Sequence, residues 1–77
     1  MDKLDRITFN PQVMGGRATI RGMRVTVSLI LNLVANGMSA EEILIAYPYL
    51  EAEDIRQSLQ YGAWLAEEQV DLLPVAS

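Results

Sequence analysis

Three of the chain's six basic residues, Arg17, Arg21 and Arg24, fall within "GGRATIRGMRVTV", residues 15–27, interleaved with three glycines. Guanidinium groups bind phosphate or carboxylate oxygens through paired N–H donors, so such a cluster points to an anionic surface. Glycines beside it raise a phosphate-cradling loop. The segment lacks the G-K-[ST] ending of a P-loop, however, and Gly15 and Gly22 stand at opposite ends of a strand, so turn geometry accounts for them better. A second set, Arg56, Gln57 and Gln60, has the residue types that suit guanine and adenine edges. A solvent-facing polar stripe opposite Ile55 and Leu59 fits the same spacing. Tyr47, Tyr49 and Tyr61 read as core edges rather than base-stacking platforms.

Other chemistry is cut back by what the chain lacks. It has no histidine and no cysteine, which removes Ser-His triads, cysteine nucleophiles and His- or Cys-based metal sites. No D-x-D or similar cluster suggests carboxylate-bound magnesium. We expect no enzyme, no catalytic residue, no metal, no cofactor and no small-molecule substrate.

The net charge of −4 conceals an asymmetry, with +3 on residues 1–37 and −7 on residues 38–77. Such a split points to a charged partner, or to one half assembling against the other. At 77 residues the chain buries too small a share of its surface for comfort. Its 51% hydrophobic content would then be covered by self-association, and a homodimer is expected. No run approaches a bilayer span, and a soluble, cytoplasmic protein without membrane contact is expected.

The elements that must carry the arginines follow from periodicity. "RITF", residues 6–9, reads as a short strand ended by Asn10-Pro11. Alternation then places Ala18 and Ile20 on one face, with Arg17, Thr19 and Arg21 on the other. A type II′ turn at Gly22-Met23 would pair Arg21 with Arg24, Ile20 with Val25, Thr19 with Thr26 and Ala18 with Val27. Every pair then matches in polarity, although like charges face one another at Arg21 and Arg24. "VSLILNLVANG" predicts a buried helix over 28–36, capped by Ser28 or Thr26 and ended by Gly37. Ser39 and Glu42 have capping-box spacing, so a second helix starts near residue 40 and stops at Tyr47-Pro48. A third starts near 52 and runs to 68, with Glu51 at the cap, a Leu50–Ile55 staple and an apolar stripe of Ile55, Leu59, Ala63 and Ala66. Trp64 lies off that stripe, covering the edge of a small core or meeting a partner. Residues 69–77 read as a tail. The expected architecture is one mostly α domain over 1–77: a short strand and N-terminal β-hairpin in 1–27, and a three-helix, helix-turn-helix-like bundle in 28–68.

The "GGRATIRGMRV" block joined at this spacing to "NGMSAEEILIAYP", followed by "EDI", resembles the small bacterial proteins of domain-of-unknown-function family 433. The likeness covers about Ile7 to Trp64. It implies a hairpin on a helix-turn-helix unit and a VapB-type antitoxin-like role, with a PIN-like ribonuclease toxin as partner and operator DNA as a second possible target. It also implies a dimer capping the toxin's acidic site. Two departures stand out: Glu51 replaces the Thr or Ser usual at the start of the last helix, and that helix carries Glu53, Asp54, Glu67 and Glu68 against Arg56 alone. An acidic helix is a poor approach to the anionic major groove. Two functions are therefore expected to compete. One is an antitoxin-like regulator, contacting its partner or nucleic acid through Arg17, Arg21, Arg24, Arg56, Gln57 and Gln60. The other is a homo-oligomeric interaction module without nucleic-acid binding.

Overall fold

The structure, a computed structural model, describes residues 4–70, with side chains through Glu67. The chain runs β1 (Ile7–Phe9), a tight turn over Met14–Gly16, β2 (Ala18–Ile20), α1 (Val27–Ala35), α2 (Ala40–Ala46) and α3 (Ala52–Val70). The fold is mostly helical with an N-terminal antiparallel hairpin, as the periodicity predicts. Beyond Val70, the tail expected for residues 69–77 lies outside the described residues.

The hairpin is not the one alternation suggests. β2 pairs along its length with β1, through Ile7–Ile20, Thr8–Thr19 and Phe9–Ala18. The expected partner segment, 24–27, contributes a single bridge between Thr19 and Thr26 and a hydrogen bond from the Ile20 amide to the Val25 carbonyl at 2.9 Å. The predicted register is therefore present in two pairs, but the turn is displaced. Arg21 and Gly22 both hold positive φ, 48° and 72°, and the Met23 amide donates to the Ile20 carbonyl at 2.8 Å. That is the pattern of a type I′ turn, which glycine at its second central position accommodates without strain. Arg21 therefore does not face Arg24, and the like-charge pairing is absent. Val27, expected opposite Ala18, instead opens α1.

The helix ends follow the sequence closely. Thr26 caps α1, its hydroxyl accepting from the Leu29 amide at 3.1 Å. The Gly37 and Met38 amides return to the Val34 and Leu33 carbonyls at 3.0 and 3.1 Å, with Gly37 at φ 95°. This Schellman closure satisfies carbonyls that the helix end would otherwise orphan. Ser39 and Glu42 form both halves of the capping box, at 3.2 and 2.8 Å. The Leu50–Ile55 staple forms as well, with both residues buried.

Ile20, Val25, Val27, Ile30, Ile43, Leu50 and Ile55 make the buried core. α3 departs from its expected stripe: Ile55 is buried, but Leu59, Ala63 and Ala66 are exposed. The covered face is Asp54, Ile55, Gln57 and Ser58, continuing to the half-buried Tyr61 and Gly62. A Cβ on Gly62 would lie 3.0 Å from a Leu31 methyl, so the glycine sets how closely α3 approaches α1. An apolar stripe fails as a guide here because much of what α3 buries is polar.

Candidate functional site

Asp54 explains that polar burial. It is the third residue of α3, and its side chain is wholly inaccessible to solvent. Its carboxylate accepts the Glu51 amide at 2.8 Å, which is the acidic half of a capping box. Arg21 approaches as a fork, Nε to Oδ1 at 3.1 Å and Nη2 to Oδ2 at 2.8 Å. Arg6 adds a bond from Nη1 to Oδ1 at 3.1 Å. Each carboxylate oxygen thus receives two donors, the full complement of an ionised aspartate. A buried carboxylate is tolerated only when paired and hydrogen-bonded to this degree.

The cluster extends in both directions. Arg21 also donates to the Tyr49 carbonyl at 2.9 Å, tying the hairpin turn to the α2–α3 connection. Arg6 pairs with the Glu51 carboxylate. Gln57 is buried; it accepts the Arg6 amide at 2.9 Å and donates to Asp5 and Glu53, each at 2.9 Å. Burial pushes the Asp54 carboxyl up, but the bonds from Arg21, the Glu51 amide and Arg6 outweigh it and hold the group below its ordinary value. Glu53, bonded by Arg56 and Gln57, is lowered to about 2. Hydrogen bonds to Glu51 and Asp54 raise the Arg6 pKa, and the bond to Asp54 raises that of Arg21.

The six residues that sequence singles out are therefore split up. Arg21 and Gln57 belong to the Asp54 cluster, Gln57 buried and Arg21 at its solvent edge. Arg56 is exposed and bound to Glu53 at 2.9 and 2.7 Å, and Gln60 is half-buried on the same helix. Gln57 cannot serve as a base reader because its amide is enclosed and fully bonded. Arg17 and Arg24 are exposed, and their guanidinium groups make no hydrogen bond or ion pair to another described residue.

Arg17 stands at an open groove of about 480 Å³ between the start of α1 and the middle of α3, lined also by Ala18, Thr26, Leu31, Tyr61 and Leu65. The Tyr61 ring lies 6.1 Å from those of Phe9 and Trp64, extending an aromatic row from the groove. Phe9 is 61% exposed and Leu65 37%, so the other described residues leave this edge open. Trp64 is half-buried against Tyr61, in keeping with an edge position. Sequence reasoning missed Asp54 and the groove. The available signal for Asp54 was its place three residues after the Glu51 cap, where a carboxylate reaches back to the cap amide.

Fold and sites together define a small helical protein with an N-terminal hairpin, an ion cluster built on a buried aspartate, and an open apolar groove. Among the described residues, no helix is long and apolar enough to cross a membrane. A family model, that of the protein of unknown function DUF433, matches residues 7–62, and the chain belongs to this family. It is 42% identical over 56 residues to the uncharacterized protein y4eO of Sinorhizobium fredii (strain NBRC 101917 / NGR234), a match covering 73% of this chain and 25% of that relative. The matched segment thus spans about a quarter of the relative's length. No solved structure matches.

Proposed function

We propose that this protein is an antitoxin-like regulatory binding protein whose partner surface is the groove beside Arg17. The observation that carries the reading is a cation, unpaired among the described residues, at the rim of an open apolar groove, whereas Arg6, Arg21 and Arg56 are committed to the chain's own carboxylates and Arg24 lies away from the groove lining. An apolar patch with a charged rim is the ordinary anatomy of a protein-binding site. Its sign suits an acidic partner, such as the carboxylate-lined active site of a PIN-like ribonuclease, with a homodimer as the form of the chain when that partner is absent.

Operator DNA is the secondary target, through Arg17 and Arg24 rather than α3. Arg56 is paired, Gln57 is buried, and α3 starts with Glu53 and Asp54, so helix insertion into a major groove finds no support. The test is titration of the purified chain with a PIN-type ribonuclease, followed by sedimentation with duplex DNA from upstream of its gene at low and moderate salt. A ribonuclease complex that Arg17→Glu weakens at least tenfold supports the reading. No binding and no inhibition of the ribonuclease contradicts it. DNA release with rising salt would add autoregulation, and indifference at low salt would remove it.

A further inference from the structure

The groove has a candidate occupant in the chain itself. Ile45, on α2, is 81% exposed, more than any other large hydrophobic among the described residues, and Tyr49 just beyond the helix is 51% exposed. Glu41 precedes Ile45 by four residues, which puts both on one helix face. The neighbouring Glu42 is engaged in the capping box with Ser39. Glu41 is exposed and its carboxylate has no bond to another described residue, so α2 presents an apolar knob with an available carboxylate one turn before it. The groove presents the complement, an apolar floor of Leu31, Tyr61 and Leu65 beside the unpaired Arg17.

We propose that the groove of one molecule receives α2 of a second copy, Ile45 entering the apolar floor while Glu41 meets the Arg17 guanidinium. The knob does not fill its own groove: Ile45 is exposed, and neither it nor Glu41 is among the residues that line the groove. Two molecules related by a twofold axis exchange knobs reciprocally, each burying its exposed isoleucine in the other. A single knob covers far less than the ~800 Å² per partner of a standard interface, so the reciprocal pair closes a small contact and the association is expected to be weak and concentration-dependent. The inference rests on the groove being the docking surface proposed above, and it adds regulation: self-association and partner binding occupy the same Arg17 and exclude one another.

Sedimentation of the full chain over a range of concentrations tests this, with helical circular dichroism checked for every variant. The expected result is twice the chain mass at high concentration. Ile45→Ser, Arg17→Glu and Glu41→Arg should each weaken association at least tenfold, and the reversed pair Arg17→Glu with Glu41→Arg should restore it. Restoration is a readout that damaged folding cannot mimic. A wild-type chain that stays monomeric, single variants that still dimerise, or a reversed pair that stays apart would overturn the proposal. The ribonuclease titration separates the two ideas, because a monomeric chain that still binds the ribonuclease at Arg17 contradicts only the dimer.

Discussion

The two ends of the α3 face make opposite use of arginine. At the start of the helix, buried Asp54 draws in the partly exposed Arg6 and Arg21 and, with buried Gln57, forms a cluster whose buried polar atoms are all bonded. Seven residues on, Tyr61 opens onto a groove whose cation, Arg17, has no partner in the described chain. Arg17 and Arg21 stand four apart in the same strand-and-turn segment and look alike in sequence. What divides them is backbone: the left-handed φ of Arg21 swings its guanidinium to Asp54, while Arg17 precedes β2 in an extended conformation. An arginine's role is thus set by the turn that aims it and by the acid within reach.

The comparison breaks most severely if Asp54 is removed. Asp54→Ala leaves two guanidiniums facing each other and the Glu51 amide unbonded. We expect a loss of about 3 kcal/mol, the scale for breaking a buried ion pair, read from urea unfolding. Against the 5–15 kcal/mol typical of whole domains, roughly that loss would leave a chain of this size close to unfolding. Asp54→Asn, which keeps the shape, should lose less.

Acid should act on the same end. The carboxyl groups of Asp54 and Glu53 are both lowered in the fold, so their stabilisation is complete above the ordinary carboxylate range and disappears as pH falls through the folded values. The urea midpoint should hold steady from neutral pH to about 5 and fall between about 4 and 2. Asp54→Asn should start lower and lose less on acidification. A midpoint indifferent to pH down to 2 would mean the cluster does not stabilise the fold.

Smaller effects sharpen the other end. Thr26→Ala, which uncaps α1 at the groove wall, should cost about 1 kcal/mol. Leu65→Ala should cost under ~0.5 kcal/mol, the usual range for partly exposed side chains, while weakening any docking into the groove. A larger stability loss at Leu65 would place it in the folded core rather than at a binding surface.

Much of the fold was legible because it depends on local chemistry. The Ser39–Glu42 box, the Gly37 terminator, the Tyr47-Pro48 stop and the Leu50–Ile55 staple all act within one turn of chain. Thr19 and Thr26 could be matched because polarity alternates across that register. The failures are contacts between residues far apart in sequence. Asp54 and Arg21 are 33 positions apart, and Arg6 and Asp54 are 48, so no periodicity links them. Reading polar side chains as solvated then put Gln57 on the surface, left Arg21 without its Asp54 partner, and drew the α3 stripe through Leu59 instead of Asp54 and Ser58. The +3/−7 split was visible, but its resolution within a single chain depended on the tertiary fold.

The most direct measurement is urea unfolding of Arg17→Ala and Arg21→Ala side by side, under conditions where the chain is monomeric. The account predicts a clear fall in midpoint for Arg21→Ala and a midpoint unchanged within error for Arg17→Ala. Equal midpoints, or the larger fall at Arg17, would contradict the division of the arginines between the Asp54 cluster and the open groove.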